Sequence, residues 1–192
     1  MHSLIRSFCA VVLILAGCLC SLSQESAPKS DIQRYLETLK NGTTCQRRAA
    51  IMALHHLGKS AIPLLIEHVD DHDVARSSTL MLANPILSYA PPGSQKDEFS
   101  GVIYAYVVEL ILARDALHDD NDCTFLLSQG DYAYGHGLIM KGQNVIPSSE
   151  LAHVKQCYSQ WWERNRNKGL STLRSDWKKS VRPLTGSAFK WM

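Results

Sequence analysis

No uninterrupted apolar run in this chain approaches the roughly 20 residues that a membrane-spanning helix needs, and neither sign of charge dominates. Twenty Lys and Arg stand against eighteen Asp and Glu, a formal net charge of +2. The balance points to no particular partner and excludes the strongly basic composition of a nucleic-acid binder. The six cysteines form no Cys-x-x-Cys pair, so the usual zinc and dithiol patterns are missing. No Gly-x-Ser-x-Gly elbow is present either, which removes the commonest setting for a nucleophilic serine. Composition implies no cofactor.

The 192 residues suit one domain with a real core. The first of them, MHSLIRSFCAVVLILAGCLCSLSQ, combine a basic start at Arg6, an apolar stretch from Phe8 to Ala16 and then small residues, the pattern of an export signal. Leu15-Ala16-Gly17-Cys18 resembles the bacterial lipobox. That resemblance implies a signal over 1–17, a lipid on Cys18 and, with Leu19 following instead of Asp, the periplasmic side of the outer membrane. Cleavage after Ser21-Leu22-Ser23, giving a periplasmic or secreted chain, is the other reading. Both export the protein, and nucleic acid is then not an expected partner. Residues 18–30 read as a polar tether and 31–192 as a single domain.

Without its signal the chain loses Arg6 and no acid, so its formal charge becomes +1. The distribution is less even: Glu67 to Asp122 holds eleven acids and three bases, and Lys155 to Lys190 holds nine bases and two acids. The two segments are expected to face each other or solvent within one fold; as a binding surface, the basic end would suit acidic protein, anionic lipid or envelope polymer. An oxidising compartment favours a disulfide, for which Cys123 to Cys157 is the expected pair.

Helical periodicity runs through most of the domain. In Gln46 to Asp71, Ala50, Ala53, Leu54 and Leu57 share one face, and Ile62, Leu65, Ile66 and Val69 share another. Gly58 suits the turn, Ser60 the N-cap of the second helix, and Pro63 its first turn. This hairpin, with Arg48, an alanine run, Leu57-Gly58 and Ala61-Ile62-Pro63, resembles one HEAT-type helical repeat. The resemblance implies a helical scaffold with a recognition face and is silent about chemistry.

Asp31 caps an opening helix with Ile32, Tyr35, Leu36 and Leu39 inward, ended by Asn41-Gly42. Asp73 is expected to cap a third helix from Val74 towards Tyr89, kinked at Pro85. Ser100 precedes GVIYAYVVELILAR, apolar on nearly every side and about fourteen residues long, which predicts a buried central helix. Residues 115–148 lose the period; a short β-hairpin near Tyr132 to Ile139 fits there. Ser148 or Ser149 then caps an amphipathic helix carrying Leu151, Val154, Tyr158, Trp161 and Trp162, ended by Gly169. Ser171 caps a last one with Leu173 and Trp177. The expected fold is mainly α.

Glu109 is the only acid in the central helix, and a carboxylate among apolar side chains must be paired, protonated or part of a site. The expected partner is Arg47, Arg48 or Arg76. A hydrolase acting on cell-wall or lipid substrate would use Glu109 with His136. His68 and His72, four apart, would hold a metal only if one helix carried both. Tyr132, Tyr134 and His136, among glycines, read as a surface for another envelope protein. An exported interaction module, adaptor or inhibitor, is the leading functional expectation, and the hydrolase is the alternative.

Overall fold

The structure is a computed structural model that describes residues 29–75, 98–113, 138–140 and 146–191. Among these residues the fold is mainly helical: α1 (Lys29–Asn41), α2 (Thr44–Leu57), α3 (Ile62–Glu67), α4 (Ser100–Ala113), α5 (Leu151–Asn165) and α6 (Leu170–Lys178). Four short strands accompany them, β1 (Val74–Ala75), β2 (Glu98–Phe99), β3 (Leu138–Met140) and β4 (Phe189–Trp191). No helix among the described residues is long and apolar enough to cross a membrane.

Each helix starts from a local signal and is then committed by one apolar face. Ile32, Leu36 and Leu39 bury the inner stripe of α1, and Asp31 lies inside its first turn instead of capping it. Thr43 and Gln46 form a reciprocal capping box that satisfies two of the free N–H groups opening α2. At its far end Gly58 has φ +57°, a backbone that residues with a Cβ rarely adopt. A 3-10 turn over Gly58–Ser60 then leads into α3. Ser60 does not cap α3; its hydroxyl donates back to the Leu57 carbonyl at 2.8 Å. Pro63 does sit in the first turn of α3, as its missing N–H allows. Gly169 is the N-cap of α6, ahead of the expected Ser171.

Helix α4 is the axis of the molecule. Every residue from Ser100 to Leu112 is buried, because α1, α2, α3 and α6 all pack against it. Its start is fixed by close backbone approach. A Cβ on Gly101 would lie 2.1 Å from the Val69 carbonyl oxygen, and the Gly101 and Ser100 amides donate to Asp71 and Asp73 carbonyls at 3.0 and 2.8 Å. Its last turn is tied by Arg174, whose Nε donates to the Ile111 carbonyl at 3.0 Å, satisfying a carbonyl that the helix end leaves open. Helix α1 packs on α2, and α3 packs on α4 and α5.

Two short strand pairs accompany the helices, and one departs from expectation. Val74 and Ala75 pair antiparallel with Phe99 and Glu98, so no helix begins at Val74; the rest of that expected helix lies outside the described residues. Leu138–Met140 pairs antiparallel with Phe189–Trp191 at the far end of the chain. Leu138 and Ile139 of the expected hairpin thus have a non-local partner, and the rest of that hairpin lies outside the described residues. Cys157 is a free thiol, and Cys45 is the described cysteine held in a disulfide. The expected Cys123 to Cys157 pairing is therefore not the one formed.

Candidate functional site

A polar centre inside the core is built on Glu109, which α4 carries into the interior at 1% exposure. Helix α5 buries Leu151, Val154, Tyr158 and Trp161 along one stripe, which directs the Tyr158 hydroxyl to Glu109 Oε1 at 2.7 Å. Helix α6 buries Leu173 and, one turn on, directs Trp177 Nε1 to Glu109 Oε2 at 2.6 Å. The chain end closes the set, because Trp191 Nε1, on β4, donates to the Tyr158 hydroxyl oxygen at 3.1 Å. Outside the Trp177 ring, the Arg182 guanidinium lies 4.1 Å from the ring centroid.

Burial pushes the Glu109 carboxyl above its ordinary range, and the Trp177 and Tyr158 hydrogen bonds and the Arg182 charge pull it back in part. The centre can therefore hold a proton in the core, and it ties α4, α5, α6 and β4 together. Both carboxyl oxygens already accept hydrogen bonds, a position that suits a scaffold better than attack on a substrate. The donors are aromatic, not the arginines expected. Arg47 instead donates from Nη2 to the Lys40 carbonyl at 3.1 Å, Arg48 is buried elsewhere on α2, and Arg76 lies outside the described residues. A hydroxyl and an indole meet the need for hydrogen bonds without supplying a full charge, which a search for basic partners overlooks. The signal was present: Tyr158 and Trp177 carry polar tips on otherwise apolar stripes, and polar tips inside a core need partners.

The other expected site residues are not gathered around this centre. His68 follows the end of α3 and meets Tyr104 edge-on at 6.2 Å between ring centroids, and His72 lies beyond the turn, so no helix face holds both. Among the described residues no group of three or more His, Cys, Asp or Glu is placed to hold a metal ion. Cys18, Cys123, Tyr132, Tyr134 and His136 lie outside the described residues. Three ion pairs frame the start of α4: Lys40 with Asp71 and with Asp73, and Lys155 with both oxygens of Asp70 at 3.0 Å. They pin the acidic turn after α3 to α1 and α5, so part of the acidic and basic asymmetry is neutralised within the fold.

No curated protein and no solved structure matches the chain. A family model described as a domain of unknown function matches residues 26–192. With that match over most of its length, the chain belongs to the DUF4943 family.

Proposed function

We propose that this protein is an exported, lipid-anchored binding domain of the cell envelope, acting on another envelope protein as an adaptor or inhibitor. The observation that carries the reading is Leu15-Ala16-Gly17-Cys18 at the end of an apolar run, followed by a polar stretch and then by a family match that starts at residue 26. The interior of the domain supports it from another direction. The one buried carboxylate among the described residues has both oxygens engaged by Tyr158 and Trp177, and a rigid helical scaffold of this kind suits presentation of a surface. The HEAT-like order of residues in Gln46 to Asp71 is in keeping with a recognition role.

The decisive experiment is intact-mass analysis of the mature protein from its native envelope, combined with affinity capture in mild detergent. The expected result is a diacylated Cys18 at the new N-terminus and a co-purified envelope protein. A free N-terminus at Gln24 removes the anchor from the reading, and a purified hydrolytic activity abolished by Glu109→Gln with unchanged melting replaces binding by catalysis.

A further inference from the structure

Two tryptophans and a tyrosine close the Glu109 centre, and the fold holds them with unequal strength. Tyr158 is fully buried on α5. Trp177 stands on α6, which is fixed by the buried Leu173, by Arg174 on the Ile111 carbonyl and by the Lys168 to Asp176 ion pair. Trp191 belongs instead to β4, a strand of three residues near the end of the chain. The ties of β4 include its pairing with Leu138–Met140, the buried Phe189 ring, and the Trp191 indole on the Tyr158 hydroxyl and edge-on to Tyr106 at 6.0 Å.

A hinge lies just before this strand. Leu184 is buried, and the Ser187 amide donates back to its carbonyl at 3.1 Å. Between them Gly186 has φ +83°, and a Cβ there would meet no described atom within 4 Å. The backbone can therefore turn at Gly186 without displacing a neighbour.

The groups around Glu109 give it hydrogen bonds from neutral donors, Tyr158 and Trp177. Arg182 adds positive charge from the ring and carbonyl of Trp177, where its Nε donates at 3.4 Å. On the helices packed against α4, Arg47 is engaged by the Lys40 carbonyl and the Tyr104 hydroxyl by the Leu36 carbonyl. Arg48 and His55 are buried on α2, and Lys40 and Lys155 pair with Asp70, Asp71 and Asp73. On β4 itself Lys190 is exposed. An ionised Glu109 thus gains water as soon as its cover moves, and burial without water is what an ionised carboxylate resists most.

The geometry points to a latch worked by pH: ionisation of Glu109 swings the chain beyond Gly186 away from α5 and admits water beside Tyr158, and protonation closes it. Displacing β4 breaks one short pairing, whereas displacing α5 or α6 breaks a helix out of the core. Burial raises the carboxyl's pKa in the closed form, and in the open form the carboxyl returns towards its ordinary range. Below that range both forms are protonated and opening is at its minimum. Between the two values opening grows by about tenfold for each pH unit, and above the closed-form value it is constant.

Native-state hydrogen exchange of the intact protein, its disulfide kept, tests the latch when rates at each pH are divided by the intrinsic amide rate. The amides of 187–191 are expected to open more readily than those of α1 and α2 and with little dependence on added urea. Their opening constant should rise by about tenfold per pH unit and then level off. Glu109→Gln, which cannot ionise, should give a flat profile. Tyr158→Phe removes a hydrogen bond that holds the carboxyl's pKa down, so it should keep the rise and move the plateau to higher pH; this variant reads the latch even where Glu109→Gln does not fold. A flat wild-type profile, an equal rise in Glu109→Gln or an unmoved plateau in Tyr158→Phe overturns the proposal. So does exchange at 187–191 with the rate and urea dependence of α1 and α2, because that is unfolding of the whole domain.

Discussion

Replacing Glu109 separates a carboxylate held by neutral donors from one held by a cation, and the two cases differ in sign. Were an arginine its partner, removal would strand a buried charge at a cost of about 3 to 5 kcal/mol, at any pH where Glu109 is ionised. The observed donors are the Tyr158 hydroxyl and the Trp177 indole. Glu109→Ala leaves both without their acceptor at about 1 to 3 kcal/mol each and removes about 0.8 kcal/mol of buried methylene, a loss of roughly 3 to 7 kcal/mol while the wild-type carboxyl is protonated. Glu109→Gln imitates the protonated acid: its oxygen accepts from the indole, and its amide donates to the Tyr158 oxygen. Because burial raises the carboxyl's folded-state pKa, the wild type binds the proton more tightly folded than unfolded. That stabilisation is complete below the unfolded value and is lost as pH rises through the folded one. Glu109→Gln has no such dependence, so it should lie within about 1 kcal/mol of the wild type in acid, the scale of one hydrogen bond, and gain on it steadily as pH rises. Urea unfolding followed by tryptophan fluorescence across this range reads both variants. A Glu109→Gln protein that loses several kcal/mol, increasingly so at higher pH, would refute the neutral-donor account.

Three further expectations follow from other contacts. Gly101→Ala sets a Cβ 2.1 Å from the Val69 carbonyl oxygen, and the forced separation of α4 from the turn after α3 should cost at least about 1 to 3 kcal/mol by the same urea assay; a neutral result would show that this junction yields. Burial raises the pKa of the free Cys157 thiol, partly opposed by a hydrogen bond with Ser187, so native protein without reductant should alkylate at Cys157 more slowly than an unfolded control. Cys45, being disulfide-bonded, should alkylate only after reduction, and peptide mass mapping distinguishes the two. If Tyr132 and Tyr134 serve an envelope partner, their double replacement by Ala should weaken its capture by at least about 2 kcal/mol with little change in melting temperature, whereas a fall in stability at unchanged affinity would assign them to the core.

Much of the helical frame was legible because it rests on local rules. The run from Gly101 to Leu112 is apolar all round, and only a fully surrounded helix can hide such a segment. The stripe of Leu151, Val154, Tyr158 and Trp161 repeats at helical spacing and is buried as that spacing requires. Even the oddity of Glu109 could be read from its neighbours alone, since a carboxylate in such a helix must find hydrogen bonds.

What tertiary structure alone decided was who meets whom. Val74 pairs with Phe99 and Leu138 with Trp191, contacts that cross tens of residues and leave no trace in a periodicity of two or three and a half. Glu109 drew its donors from residues 49 and 68 positions away, chosen by how α5 and α6 pack on α4 and not by their charge. The free thiol of Cys157 has the same origin, because cysteine spacing does not say which two sulfurs the fold brings within bonding distance.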